Sequence, residues 1–152
     1  MERKYILSCE STVDVPYEYI SSRDIPVLFY KYIVNNEEYD DDMRRTPDGL
    51  DKFYAMLDAG TIPTTSQINV FTYKEFLEGL LKQGDVIHIA MGTGMSGSYY
   101  NAAKAAEELR EEYPDRKIEV INSYCSSTGY GMLVDYAADL RDEAKTFEES
   151  VA

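Results

Sequence analysis

The chain has 152 residues, enough for one domain with a buried core, and 44% of them are hydrophobic, which excludes a disordered chain. Its formal net charge of −13 argues against a nucleic acid partner, because binding a phosphate backbone requires clustered Lys and Arg. Two cysteines do not make a disulfide framework, and no charged-then-apolar leader opens the chain. No apolar run approaches the roughly 20 residues of a membrane span. We therefore expect a cytoplasmic protein without membrane insertion.

Apolar patterning predicts alternating strands and helices along the chain. In the first part of the chain we predict a strand at 4–8, a short helix capped by Asp14, a strand at 26–34 with a hairpin partner at 37–39, and a helix at 50–58 ended by Gly60. A polar segment follows at 61–69. In the second part we predict a helix capped by Thr72 and Glu75, a strand at 86–90, a helix ending near Pro114, a strand at 118–121 and a helix to about Asp142. This alternation is typical of an α/β fold, a mostly parallel sheet with helices on both faces.

Four polar turns punctuate these elements, at residues 9–12, 64–67, 92–98 and 122–127. In parallel sheets, ligands lie beyond the carboxyl ends of the strands. We therefore expect the four turns to converge on one edge of the sheet and to form the binding site there.

The third turn, 92–98, is the most informative, because it joins an apolar strand to an alanine-rich helix. Glycines let the backbone approach a ligand closely, and N–H groups at a helix start point at negative charge. Ser96 and Ser98 add hydroxyls at the same place. Hydroxyls and amides suit a carboxylate, so the turn predicts an anion site.

A dinucleotide is an alternative ligand, because Gly92, Gly94 and Gly97 satisfy the G-x-G-x-x-G pattern after a strand and before a helix. That fingerprint also needs an acidic residue at the end of the next strand, where this chain has Asn122. The Walker phosphate loop is excluded, because no Gly-Lys-Ser/Thr follows.

Catalytic and metal chemistry find little support. The single histidine, His88, lies inside an apolar strand and is expected in the core, so a Ser-His-Asp relay through Ser96 is disfavoured. Cys9 and Cys125, which we expect to be buried free thiols, do not make a metal site with one interior histidine. We predict no catalytic residue, no metal and no cofactor, and hence a binding protein.

Near the end of the chain, Thr146 and Glu149 form a capping box with only three residues after it. The capping box predicts the start of a helix that has less than one further turn of sequence. We therefore expect the chain to be the amino-terminal domain of a longer two-domain protein, cut near 146–152.

Four motifs in order resemble those of the DegV family of bacterial fatty-acid-binding proteins, and the resemblance covers nearly the whole chain as their amino-terminal domain. The family's Thr-Asp-Ser-Thr-x-Asp-Leu-Pro pattern reads CESTVDVP at 9–16, and its Pro-Thr-Thr-Ser-Gln-Pro pattern reads PTTSQI at 63–68. Its Leu-Ser-Gly-Thr-Tyr turn reads MSGSY at 95–99, and its Ile-Asp-Ser and Gly-x-Gly patterns read INS at 121–123 and GYG at 129–131. Glu10 and Asn122 replace Asp, and Ile68 replaces Pro.

The resemblance implies a long-chain fatty acid whose carboxylate meets Thr65 and Ser96. The chemistry of the turn adds the N–H groups of Gly97 and Ser98. The remaining pocket-edge candidates are Ser11, Thr64, Gln67 and Ser123. The family also implies two protein partners: a fatty acid kinase that phosphorylates the bound acid, and a carboxyl-terminal domain that supplies a His and much of the tunnel.

Three functions therefore remain open. The first is a fatty-acid carrier that presents its ligand to a kinase. The second is a nucleotide-dependent enzyme domain using the glycine turn, which the missing carboxylate at Asn122 disfavours. The third is a scaffold of this fold without a ligand, for which the departures at Glu10, Ile68 and Asn122 are the best support.

Overall fold

The computed structural model describes residues 4–152, and two sheets organise them. A four-stranded parallel sheet has the order β2-β1-β6-β7, and a small antiparallel sheet has the order β4-β3-β5. The strands are β1 Ile6–Glu10, β2 Val27–Leu28, β3 Lys31–Val34, β4 Glu37–Asp40, β5 Thr64–Thr65, β6 Val86–Ala90 and β7 Ile118–Asn122. The helices are α1 Tyr17–Ser22, α2 Gly49–Asp58, α3 Val70–Leu81, α4 Ser98–Glu112, α5 Ser127–Asp142 and α6 Phe147–Val151, with a short 3-10 turn at Ser11–Val13.

The parallel sheet confirms the predicted α/β architecture. Val86 in β6 lies opposite Ile6 of β1 on one side and Ile118 of β7 on the other, so the three expected strands are parallel neighbours. The first strand begins two residues later than predicted, and Cys9 and Glu10 therefore belong to it rather than to the turn.

Two cores lie on opposite faces of this sheet, and the alternation within β6 shows why. Val86 and Ala90 pack with α3 and α4 on one face, while Ile87 and Ile89 pack with α1 and α5 on the other. All five residues of β6 are buried, as expected for a strand covered on both faces. Each large apolar side chain buried there contributes about 1.5–3 kcal/mol.

The strand predicted at 26–34 is divided between the two sheets. Val27 and Leu28 pair with β1, whereas residues 31–34 pair with β4 and β5. The chain leaves the parallel sheet at Tyr30, whose N–H donates to the Ser11 side chain (3.0 Å) instead of to a neighbouring strand. The hairpin prediction is confirmed, with Asn35 and Asn36 both at positive φ.

Two helix starts differ from the predictions. Asp14 does not cap α1; it has φ 53° and closes the 3-10 turn, and Pro16 stands at the N-cap. Helix α3 begins before Thr72, which was predicted as its cap. Asn69 is the N-cap instead, and its side chain accepts the Thr72 N–H (2.9 Å). The capping box of Thr146 with Glu149 is confirmed, and no helix within residues 4–152 is long and apolar enough to cross a membrane.

Candidate functional site

A large cleft opens where the carboxyl ends of the parallel strands face the antiparallel sheet and α2. Its volume is about 1490 Å³. All four predicted polar turns contribute to its lining, represented by Ser11, Gln67, Ser96 and Ser127. The expected convergence of the turns on one edge of the sheet is therefore present in the structure.

Thr65 and Ser96, the predicted carboxylate ligands, both line this cleft. Thr65 belongs to β5, where it lies opposite Tyr32 and is exposed. Ser96 precedes α4, and its Oγ accepts the N–H of Ser98 (3.1 Å) while donating to the Ser98 hydroxyl (3.0 Å). Two hydroxyl-bearing residues from distant parts of the sequence thus line the same cleft.

Gly97 and Ser98 have structural contacts that the sequence does not reveal. A Cβ atom on Gly97 would lie 2.8 Å from Nε2 of Gln67, so glycine leaves room for the Gln67 side chain across the turn. Ser98 is 1% exposed, and its Oγ accepts the N–H of Ile68 (3.3 Å). Ser98 therefore ties the glycine turn to the segment before α3.

The four predicted edge residues divide into two pairs. Ser11 and Gln67 line the cleft. Thr64, next to Thr65 in β5, lies outside the lining described for residues 4–152, as does Ser123. The Ser123 hydroxyl instead closes its own loop, accepting the Cys125 N–H (3.2 Å) and donating to the Cys125 carbonyl (3.0 Å).

Glu10, one of the departures from the family pattern, lies fully buried beneath the site. Its carboxylate accepts hydrogen bonds from the Tyr73 hydroxyl and from the N–H of Met91 (2.9 Å), the residue at which β6 enters the glycine turn. Burial, and secondarily the charge of Glu10, raises the pKa of Tyr73, which keeps that hydroxyl a donor. Glu10 thus fixes the backbone at the base of the cleft.

His88 is buried in the core as predicted. Its Nδ1 lies 2.9 Å from the Ser8 hydroxyl, and its ring packs edge-on against Tyr73 and Phe76. The prediction for the cysteines is half right: both are free, but Cys9 is buried and Cys125 is exposed. Burial raises the pKa of the Cys9 thiol far above its usual range.

An aromatic wall extends along the cleft from the antiparallel sheet to α2. We use this name for Tyr32, Tyr39, Phe53 and Tyr54, all of which line the cleft. The Tyr32 ring stacks on Tyr39 (centroids 5.4 Å apart) and meets Phe53 edge-on (5.2 Å). This wall offers apolar surface beside the hydroxyls, and no local sequence pattern indicates it, because its members come from three elements.

Asp41 lines the cleft, together with three other aspartates, Asp14, Asp40 and Asp42. Its pKa is raised chiefly by burial, with the side chain of Ser11 acting in the opposite direction. Burial therefore disfavours the charged form of Asp41.

Asn122, at the position where a dinucleotide site needs a carboxylate, supports the glycine turn. Its Nδ2 donates to the Thr93 hydroxyl (3.1 Å), and its Oδ1 accepts the Tyr124 N–H (3.0 Å). Within residues 4–152 there is no group of three or more His, Cys, Asp or Glu side chains arranged to hold a metal ion.

The described residues thus form an α/β fold in which helices flank a parallel sheet, with an open cleft lined by hydroxyls and the aromatic wall at the carboxyl edge of that sheet. The chain belongs to the DegV family: the family model described as an uncharacterised protein of the DegV family matches residues 7–152. A DegV domain-containing protein of Clostridium perfringens is 34% identical over 150 residues, which cover 97% of this chain and 50% of that protein.

Solved structures agree on the fold. A fatty-acid (stearic acid)-binding protein from Eubacterium ventriosum has a TM-score of 0.83 and 27% identity, covering 97% of this chain and 50% of that one. The Streptococcus pneumoniae Fatty Acid Kinase B3 protein, loaded with linoleic acid, has a TM-score of 0.77 at 20% identity, covering 97% and 52%, and it shows the fold alone. The chain thus spans about half the length of these relatives.

Proposed function

We propose that this chain is the amino-terminal half of a fatty-acid carrier and holds the carboxylate of one long-chain fatty acid. The observation that carries the proposal is the pairing, in one cleft, of the Thr65 and Ser96 hydroxyls with the aromatic wall. A fatty acid has the same two parts, a charged head that needs hydrogen-bond donors and a tail that needs apolar surface.

The head group meets donors that the fold has already positioned. The Ser98 N–H donates to Ser96 Oγ, which polarises the Ser96 hydroxyl and makes its own proton a better donor. When ligand binds, that proton turns from Ser98 to the carboxylate. Hydrogen bonds to a charged group contribute roughly 1.5–3 kcal/mol each, so two hydroxyls account for much of the selectivity for an acid.

The tail runs along the aromatic wall in this proposal. Each buried methylene contributes about 0.8 kcal/mol, so affinity depends on how much of the tail is covered. On this half alone the cleft is open, and Met95 and Tyr54 at its margin are 70% and 56% exposed. A second, carboxyl-terminal domain covering that side is consistent with the relatives' being twice as long.

The protein presents its ligand without catalysis of its own, and a fatty acid kinase is its partner. The kinase partnership is supported by the fold shared with the Streptococcus pneumoniae Fatty Acid Kinase B3 protein. The two free cysteines fit a reducing compartment, and we assign the protein to the cytoplasm.

Two neighbouring threonines make the sharpest test. Thr65→Val and Thr64→Val are the same change on the same exposed strand, but only Thr65 lines the cleft. In oleate titrations of the full-length protein, Thr65→Val should weaken binding roughly 10- to 100-fold and Thr64→Val less than about twofold. Equal affinities for the two variants would remove Thr65 from the site.

Lipid extraction tests the ligand class independently of any variant. Mass spectrometry of the purified full-length protein should find a long-chain fatty acid at close to one per chain. Should NAD or ATP raise the melting temperature while oleate leaves it unchanged, the nucleotide-dependent function replaces this one.

A further inference from the structure

Tyr30 lines the cleft at the point where the two sheets meet. It lies in the two-residue link between β2 and β3, where the chain passes from one sheet to the other. Its N–H donates to Ser11 Oγ (3.0 Å) and its carbonyl accepts the N–H of Asp41 (2.8 Å). Its side chain is 8% exposed, packs in the core with Tyr73 and lines the cleft. The ring is therefore held in one position.

The hydroxyl of this ring has no hydrogen-bond partner among residues 4–152. A buried polar group left unpaired destabilises a protein, so such groups call for an explanation. The hydroxyls of Ser98, Ser96 and Tyr73 are near enough to lower the pKa of Tyr30 in part, but among residues 4–152 none of them lies in hydrogen-bond geometry with the Tyr30 hydroxyl. The protons of two of these hydroxyls are directed elsewhere, since Ser96 donates to the Ser98 hydroxyl and Tyr73 donates to Glu10.

The state of the hydroxyl is also defined. Burial, followed by the Glu10 carboxylate, raises the pKa of Tyr30, so its proton is retained at neutral pH. Within residues 4–152, the structure thus holds a protonated hydroxyl without a hydrogen-bond acceptor, on a residue that lines the cleft beside the Ser96 turn. A carboxylate offers about four lone-pair sites on two oxygens, more than Thr65 and Ser96 fill.

We propose that the Tyr30 hydroxyl donates a third hydrogen bond to the ligand carboxylate, beside Ser96, and so helps the cleft to select an ionised acid over a neutral lipid. This rests on the proposed function, because the acceptor is the head group of the fatty acid. Within residues 4–152 the Tyr30 hydroxyl makes no hydrogen bond in the ligand-free protein, and it gains one when the ligand binds.

The test compares Tyr30→Phe with Tyr5→Phe in the full-length protein. Tyr5 is a matched control, since its hydroxyl is also buried and has no hydrogen-bond partner among the described residues 4–152. It stands just before β1, at the end of the sheet away from the cleft. Oleate and methyl oleate are titrated into each variant, and ligand-free melting temperatures are recorded.

Tyr30→Phe should weaken oleate binding roughly tenfold or more, because a hydrogen bond to a charged group is lost. Methyl oleate should lose less than about threefold, because a neutral ester accepts a weaker bond. The ligand-free melting temperature should stay the same or rise, because no intramolecular hydrogen bond is removed. Tyr5→Phe should bind both lipids like the wild type.

Two results would overturn the proposal while leaving the proposed function intact. One is oleate binding by Tyr30→Phe within about twofold of a wild type that binds normally. The other is a lower ligand-free melting temperature in Tyr30→Phe than in Tyr5→Phe, since the hydroxyl would then have a partner within the chain. A wild type that binds no oleate overturns the proposed function, and this proposal with it.

Discussion

Helix α5 begins with two glycines in the same G-x-G motif, and the structure predicts opposite effects for replacing them by alanine. A Cβ on Gly131 would lie 2.8 Å from the carbonyl oxygen of Val13 and 3.1 Å from the side chain of Val15. A Cβ on Gly129 would meet only the Cys125 side chain, at 3.5 Å, an ordinary contact. Gly131 is therefore the residue that lets α5 approach the 3-10 turn closely.

The magnitude follows from two opposed effects. Alanine in place of glycine stabilises a helix by up to about 1 kcal/mol, and both positions gain from this. At Gly131 the Val13 carbonyl must move, and overpacking of this kind costs about 1–3 kcal/mol. Because the helix gain is common to both variants, their difference isolates the clash at about 2 kcal/mol, or about 4–8 °C in melting temperature for a chain of this size.

Thermal unfolding of both variants beside the wild type measures this difference, with urea titrations as a second method. The slope of free energy against urea should be unchanged, which shows that the unfolded states are comparable. Gly129→Ala should melt at or above the wild type and Gly131→Ala below it. If Gly131→Ala is as stable as Gly129→Ala, the close approach of α5 to Val13 is not a constraint on this fold.

Three further predictions concern other parts of the molecule. In the native protein a thiol reagent should label one cysteine per chain, the exposed Cys125, and should reach buried Cys9 only after denaturation, with peptide mapping to identify the site. Arg141→Met should lower the free energy of unfolding by about 3 kcal/mol, because the buried guanidinium donates to two backbone carbonyls after α1; unchanged urea midpoints would contradict this. Burial raises the pKa of Asp41 in the folded state, so the contribution of this group to stability is fully present below the ordinary Asp pKa of about 3.9 and is lost as pH rises through the raised value. Asp41→Asn should therefore stabilise the protein at pH 7 more than at pH 4. Melting temperatures that shift equally at the two pH values would refute this.

The binding cleft shows how far local patterns reach into a site. The sequence placed Ser96 in a strand–turn–helix junction, and the structure has that junction at β6 and α4, with Ser96 on the cleft. Thr65 and Ser11 line the same cleft although they are 31 and 85 residues away from Ser96. Their convergence was predictable because parallel strands end at a common edge.

The choice among neighbouring hydroxyls was beyond the sequence. Ser96 lines the cleft and Ser98, two residues later, is buried against Ile68. Thr65 lines it and Thr64 does not. Each pair looks equivalent in the sequence, and the difference arises from contacts with chain segments about 30 residues away.

By itself the sequence determined the features whose cause is local. A continuous apolar run predicted β6, Gly60 predicted the end of α2, and the capping box at Thr146 predicted the start of α6. Each of these signals depends on residues within about four positions of one another. Only the tertiary structure decided which sheet each part of a segment joins and which polar groups are left buried. It divided residues 26–34 between two sheets, and it buried the Tyr30 hydroxyl without a hydrogen-bond partner in the part of the chain from 4 to 152. The physical reason is that burial and hydrogen bonding at these places are set by segments distant in sequence, which no local pattern encodes.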